Sequence, residues 1–186
     1  MRRRPPLHLL AALAAAAVAL AAPAEEPAAT VVLAARSIGS RRGDPPERRA
    51  HAALLVTFPG RPGGFIVQGG KEKVRGFLRD SARVVGYVIP SADPAVEFTR
   101  AWGAWWGEAN VRELPTTELG RFTVPGLTED RVRAIVAALN AELAPRDYAL
   151  EEGPSSNSFA SRFLDALALP LPPGAGAELP GWGWRP

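Results

Sequence analysis

Two apolar runs joined by a glycine- and proline-rich link constrain the fold of this chain more than any other feature. Residues 51–58 (HAALLVTF) and 65–68 (FIVQ) contain many β-branched and aromatic side chains, and residues 59–64 between them are PGRPGG. Short apolar runs separated by glycine and proline are typical of two antiparallel strands joined by a turn. The sequence therefore predicts a β-hairpin that brings His51, where its first strand starts, close to Gln68, where its second strand ends.

Further strands and helices are expected on both sides of this hairpin. A glycine pair, Gly69-Gly70, is expected to end its second strand. Apolar and β-branched runs predict the other strands, while capping residues and apolar stripes predict the helices. The expected strands are 30–35, 83–89 and 122–124, and the expected helices are 93–107, 128–144 and 155–168. This pattern predicts one α+β domain, in which a small antiparallel sheet with the hairpin at its centre packs on helices.

The N-terminus has the pattern of a secretory signal peptide. Three arginines precede an apolar run from Leu7 to Ala22, and Ala22-Pro23-Ala24 is a small-x-small cleavage pattern. The run is shorter than the roughly 20 residues that a membrane span needs. We therefore expect cleavage after residue 24 and export to the periplasm or the extracellular space. An uncleaved signal, which would hold the protein on the membrane, is the alternative.

Within the exported chain, residues 25–170 are expected to form the single domain. Residues 171–186 are rich in proline and glycine and are expected to form a C-terminal tail.

The composition excludes several kinds of chemistry. Removing the signal takes three of the 22 basic residues and none of the 19 acidic ones, which leaves a net charge of zero. A neutral chain gives no electrostatic reason to expect a nucleic-acid partner. There is no cysteine, which excludes thiol catalysis and thiolate metal sites. His8 lies in the signal, so His51 is the only imidazole of the exported chain, and neither a metal nor a cofactor is expected.

Three hydroxyls mark the start of the last predicted helix, in the run GPSSNSF at 153–159. A serine at this position caps the helix. Alternatively, Ser156 is a nucleophile beside backbone N–H groups that can hold an oxyanion, provided that a base lies within reach. His51 would be that base, and the Gln68 oxygen would fix its tautomer. The alternative interpretations are a strand-edge histidine for His51 and a polar residue at a strand end for Gln68. The residues alone do not decide between the catalytic and the structural interpretation.

The order of these pieces resembles the permuted papain-like proteins, which include NlpC-like, lecithin–retinol-acyltransferase-like and PPPDE-like peptidases and acyltransferases. In that group a histidine opens a strand, a polar residue follows on the next strand, and a nucleophile, usually cysteine, later starts a helix. Here HAALLV, GGFIVQGG and GPSSNSF follow each other in that order, and Ser156 stands at the cysteine position. The resemblance extends from His51 to about Ala168 and implies a permuted papain-like fold.

This resemblance implies an exported serine-type hydrolase or acyltransferase that acts on an amide or ester of the cell envelope. Its catalytic residues would be His51, Ser156 and Gln68. Serine departs from the pattern of the family, because a serine–histidine pair cannot form the thiolate–imidazolium pair of the cysteine enzymes. The alternative hypothesis is a non-catalytic papain-like module that binds an envelope ligand or protein. Both hypotheses require His51 and Ser156 to lie in direct or one-water contact, and we expect a His51 that is neutral at pH 7.

The substrate-binding residues expected from the same comparison are Asn157, Ser155 and Trp105. Trp105 belongs to a cluster with Trp102 and Trp106 within the predicted helix that starts at Asp93-Pro94. Helical spacing puts Trp102 and Trp106 on the same face as Phe98, which is typical of a core. Tryptophans near glycines can also line an acyl or sugar groove, and both interpretations stay open.

Overall fold

The computed structural model describes most of the chain after the predicted signal. It describes residues 27–37, 50–74, 81–105, 116–144, 146–149, 153–175, 179 and 181–185. The predicted signal peptide (1–24) and Trp106 lie outside the described residues, as do the side chains of Trp102 and Trp105.

Five strands form one antiparallel sheet, and three helices pack on it. The strands lie in the order β4-β3-β2-β1-β5, so that β2 is central. The strands are β1 (Ala28–Ser37), β2 (Ala50–Thr57), β3 (Gly64–Val74), β4 (Ser81–Ser91) and β5 (Thr116–Pro125), and the helices are α1 (Pro94–Trp105), α2 (Glu129–Leu143) and α3 (Ser156–Ala166). The predicted α+β class and the central hairpin, now β2 and β3, are confirmed.

The prediction that Gly69 and Gly70 end the second hairpin strand is wrong. Strand β3 continues through both glycines to Val74, and Gly69 pairs with Gly86 of β4. Gly69 and Gly86 make room for α3. A Cβ on Gly69 would lie 2.8 Å from the Cα of Ser156, and one on Gly86 would lie 2.0 Å from the Phe159 ring. Gln68 therefore lies in the middle of β3 and not at its end.

The two faces of the sheet are covered very differently. On one face, α2 and α3 enclose a large apolar cluster, which we call the major core. On the other face, α1 covers a small apolar cluster, which we call the minor core. The major core includes Val31, Leu33, Leu54, Val67, Val132, Val136, Leu139, Phe159, Phe163 and Leu164, and the minor core consists of Ala34, Ala53, Leu55, Ile66 and Phe98.

Each helix starts at a capping residue that the sequence supplies. The Asp93 carboxylate accepts hydrogen bonds from the N–H groups of Ala95 and Val96 at the start of α1. The Thr128 hydroxyl accepts from the N–H of Arg131 at the start of α2. In α1, Phe98 faces the sheet and Val96 is 40% exposed.

The segment expected as a C-terminal tail packs on the domain. Ala175 and Leu179 are buried in the major core, and the rings of Trp182 and Trp184 lie against it. The Arg185 guanidinium also pairs with Asp165 of α3 at 2.6 Å. Residues of this segment therefore contribute to the major core.

Candidate functional site

The N-terminus of α3 enters the sheet where β2 and β3 separate. Pairing between these two strands starts at Ala53 and Gln68, so the first three residues of β2 lie beyond it. Ser156, the first residue of α3, occupies this gap and lies against Gly69. A helix start, the opening of β2 and the middle of β3 thus meet at one point.

His51 and Ser156 are in direct contact at this point, although 105 residues separate them in sequence. The Nδ1 atom of His51 lies 3.2 Å from the Ser156 Oγ. The contact that the sequence predicted is therefore confirmed. The distance is at the long end of the range for a hydrogen bond, as is common in sites without substrate.

Gln68 holds the other side of the imidazole. It stands opposite Ala53 in the register, on the same face of the sheet as His51, and its Oε1 lies 2.9 Å from the His51 Nε2. An amide oxygen accepts hydrogen bonds and does not donate them. Nε2 therefore carries the ring proton, which leaves the lone pair of Nδ1 directed at the hydroxyl of Ser156. The chain Ser156–His51–Gln68 has the order nucleophile, base and orienting residue.

Burial keeps His51 neutral. Only 1% of the residue is exposed, and this burial lowers its pKa to about 4. The hydrogen bond to Gln68 opposes this shift, and the charge of Arg36 adds to it. The imidazole is thus neutral at pH 7, in agreement with the expectation, and among the described residues no carboxylate contributes to its pKa shift.

Arg36 is the residue near this site that sequence reasoning missed. It is the register partner of His51 on β1, and 1% of it is exposed. Burial lowers its pKa to about 10, so it stays charged at pH 7. Its guanidinium donates to the Phe98 carbonyl and lies 4.8 Å from the centre of the Phe98 ring. Nothing in the sequence pattern indicated it, because the apolar run that predicts the strand ends at Ala35.

Helix α1 covers the imidazole from the minor-core side. The ring centres of Phe98 and His51 lie 6.4 Å apart. Ser156 and Gln68 are each 8% exposed, so the three site residues form a nearly closed site. Cavities of about 420 Å³ and about 400 Å³ lie elsewhere, one at the β2–β3 turn and one between α1, β1 and β5, and neither is lined by these three residues.

The side chains of Ser155 and Asn157 both have structural uses. Ser155 caps α3: its hydroxyl accepts from the N–H of Ser158 at 3.2 Å, and the Ser158 hydroxyl accepts from the N–H of Ser155 at 2.7 Å. The Asn157 amide bonds to the backbone of β2. The S-x-x-S spacing was a signal for the cap, whereas nothing in the sequence indicated the partner of Asn157. Substrate contact by Ser155, Asn157 and Trp105 stays a prediction.

The described residues show neither a clustered metal site nor a membrane-spanning helix. No group of three or more histidine, cysteine, aspartate or glutamate side chains among them is placed to hold a metal ion. No helix in the described part of the chain is long and apolar enough to cross a membrane.

Comparisons with known proteins leave the site geometry as the basis for assigning a function. No family model, no curated protein and no solved structure matches the chain. The permuted papain-like fold therefore stays a prediction that rests on the order of the motifs and on the geometry of Ser156, His51 and Gln68.

Proposed function

We propose that this chain is an exported serine-type hydrolase or acyltransferase with a permuted papain-like fold, acting on an amide or ester of the cell envelope. The observation that carries the proposal is the hydrogen-bonded chain from the Ser156 hydroxyl through His51 to Gln68. A nucleophile needs a base in contact with it, and the base needs a third group that orients it. The order of these residues along the chain and the helix start at Ser156 support the papain-like part of the proposal.

In the first half of the reaction the Ser156 oxygen attacks the carbonyl carbon of the substrate. Its proton moves to Nδ1 of His51 as the new C–O bond forms, and the carbonyl oxygen becomes an oxyanion. Ser156 is the first residue of α3, where backbone N–H groups point out of the helix and the dipole is positive. The N–H groups around Ser156 are the groups that would hold the oxyanion.

In the second half the imidazolium returns its proton. Nδ1 donates it to the leaving amine or alkoxide as the bond from the carbonyl carbon to that group breaks. Water, for a hydrolase, or an acceptor nucleophile, for an acyltransferase, then attacks the acyl-serine and gives its proton to the same nitrogen. The tetrahedral intermediate then expels the Ser156 oxygen, which takes the proton back from Nδ1, and releases the acid or the transferred acyl product.

Gln68 orients the base without adding a charge. Attack on the substrate creates a positive imidazolium, which the neutral Gln68 orients without stabilising its charge. In serine proteases with a serine–histidine–aspartate triad, an amide in place of the orienting carboxylate costs about 10⁴-fold in kcat because the tautomer is wrong. Here the Gln68 oxygen keeps the correct tautomer, but the nearby charge of Arg36 opposes the imidazolium. Gln68 therefore orients the base, while the charge of the imidazolium is not stabilised by Gln68 or by Arg36.

One alternative function has a specific observation in its favour. His51 is 1% exposed and lies against Phe98 and beside Arg36, so a substrate reaches Ser156 only if the covering groups move. A non-catalytic papain-like module that binds an envelope ligand or protein would need no such movement. In that case the Ser156–His51 contact would serve only to hold α3 on the sheet.

Covalent labelling separates the two functions. The full chain is treated with a small alkyl fluorophosphonate, and the modified residue is located by mass spectrometry. The enzyme proposal predicts a label on Ser156 that is lost in His51→Ala, in Ser156→Ala and in chain unfolded by denaturant. A chain with Phe98→Ala tests whether access limits the reaction. If neither the unchanged chain nor Phe98→Ala is labelled, the enzyme proposal is wrong and the binding module stands.

A further inference from the structure

The residue that follows the nucleophile contacts the backbone on both sides of the base. The Asn157 Oδ1 accepts a hydrogen bond from the N–H of Ala52 at 2.9 Å, and its Nδ2 donates one to the carbonyl of Ala50 at 3.0 Å. Ala50 and Ala52 are the neighbours of His51 in β2. Asn157 itself follows Ser156 in α3 and is 1% exposed.

These two bonds continue the sheet where β3 no longer does. Pairing of β2 with β3 stops at Ala53, while β1 still pairs with Ala50 and Ala52 from the other side. A buried N–H and carbonyl without partners would each cost about 1–3 kcal/mol. The Asn157 amide supplies one acceptor and one donor, as a strand residue would, and so ties α3 to β2 in a single register.

We propose that Asn157 is the positioning residue that sets the distance between Ser156 and His51. Its two bonds link the residue after Ser156 to both residues that flank His51, so the backbone at Ser156 cannot shift away from the backbone at His51 unless these bonds break. Gly69 fixes the same helix start from the β3 side, because Ser156 packs into the space that a side chain on Gly69 would fill. In this role Asn157 acts through Ser156 and His51.

The consequence for the reaction rests on the proposed function, but the positioning does not. If the reaction occurs, a displacement of about 1 Å between nucleophile and base lowers its rate by about 100-fold. If it does not occur, the geometry still appears in the ring nitrogens of His51. The unprotonated Nδ1 accepts from Ser156, and this bond shifts its ¹⁵N resonance.

The test compares Asn157 variants with a matched variant of the same helix start. Asn157→Leu removes both bonds and keeps the number and branching of the side-chain heavy atoms, while Asn157→Asp keeps the acceptor for Ala52 and is the fallback if the leucine chain does not fold. Ser158→Ala removes a bond of the α3 cap but none to β2. All are made in the full chain carrying His8→Asn, so that His51 gives the only imidazole signals.

We expect Asn157→Leu to lose the Nδ1 shift caused by Ser156 and to lower the labelling rate at Ser156 by about 100-fold. The aspartate variant should show both effects to a smaller degree. Ser158→Ala should unfold more easily but keep the ¹⁵N signals and the labelling rate of the unchanged chain. A folded Asn157 variant with unchanged His51 signals, or a Ser158→Ala chain that loses them equally, would overturn the proposal. If neither the unchanged chain nor Phe98→Ala is labelled, the proposed function fails and the ¹⁵N signals alone decide the role of Asn157.

Discussion

The two faces of the sheet differ in how much they bury and in what they bury. Among the described residues, the major core contains 23 buried apolar residues and is covered by α2 and α3. The minor core contains five and is covered by α1. Arg36, His51 and Gln68 all lie on the thinly covered face. Apolar burial is the main stabilising term in folding, so the major core supplies most of the stability. Because the minor core is small, α1 should be easier to displace from the sheet, and its displacement would uncover His51.

The largest expected effect tests the stabilising role of the major core. Phe163 is completely buried between α3 and the sheet. Phe163→Ala removes a ring from a densely packed region and should lower the free energy of unfolding by about 3–5 kcal/mol. Urea denaturation followed by circular dichroism measures it. A loss no larger than that of Phe98→Ala would contradict the difference between the two faces.

The second effect comes from the buried imidazole on the other face. The pKa of His51 is about 4 in the folded chain and 6.5 as its ordinary value, so between these pH values the unfolded chain binds more protons. The stability contribution is therefore fully present above pH 6.5 and is lost as the pH falls through 4, by roughly 3 kcal/mol in total. Denaturation at pH 7, 5.5 and 4 measures the loss. The same series on His51→Gln isolates the part of this loss that comes from the imidazole. Equal pH dependence of the free energy of unfolding in both chains would contradict the low pKa of His51.

Opening the minor core should cost less stability and increase reactivity. Phe98→Ala removes the ring that lies against His51 and Arg36. Because the described minor core is small, we expect the free energy of unfolding to fall less than after Phe163→Ala, by about 3 kcal/mol. The rate of fluorophosphonate labelling at Ser156 should rise. An unchanged or lower rate in a folded Phe98→Ala chain would show that α1 does not limit access.

The smallest effect compares the caps of two helices on opposite faces. Asp93→Ala and Thr128→Ala each remove a side chain that caps a helix, and each should cost about 1 kcal/mol. Only Asp93→Ala loosens α1, so it alone should raise the labelling rate at Ser156. Equal labelling rates in the two chains would remove the link between α1 and access to the site.

The sequence predicted which helices and strands form better than it predicted where they begin and end. The hairpin, the α2 stripe and the serine-rich start of α3 carry local signals, because β-branched runs, helical spacing and capping residues act within a few positions. The prediction that Gly69 and Gly70 end the strand is wrong because the role of Gly69 depends on α3, which lies far later in the chain and packs against it. Strand ends set by such distant contacts leave no local pattern.

The candidate site was predictable in part for the same reason. His51 and Ser156 stood out by residue type and by the order of the motifs, and their contact followed. Arg36 and the bonds of Asn157 did not stand out, because both depend on the register of β1 and β2 and on the exact docking of α3. Residue type suggests chemistry, whereas the partner of a buried polar group is set by tertiary structure.

A pH titration of the His51 ring by ¹⁵N NMR tests the central claim most directly. The full chain with His8→Asn is observed from pH 7.5 down to the acid limit of its folded state. The account predicts a neutral ring protonated on Nε2 and unprotonated on Nδ1, which gains its second proton only near pH 4. A pKa at or above 6.5 would contradict it, because His51 would then take up its second proton close to neutral pH. A neutral ring protonated on Nδ1 would also contradict it, because that nitrogen would then have no lone pair for the proton of Ser156.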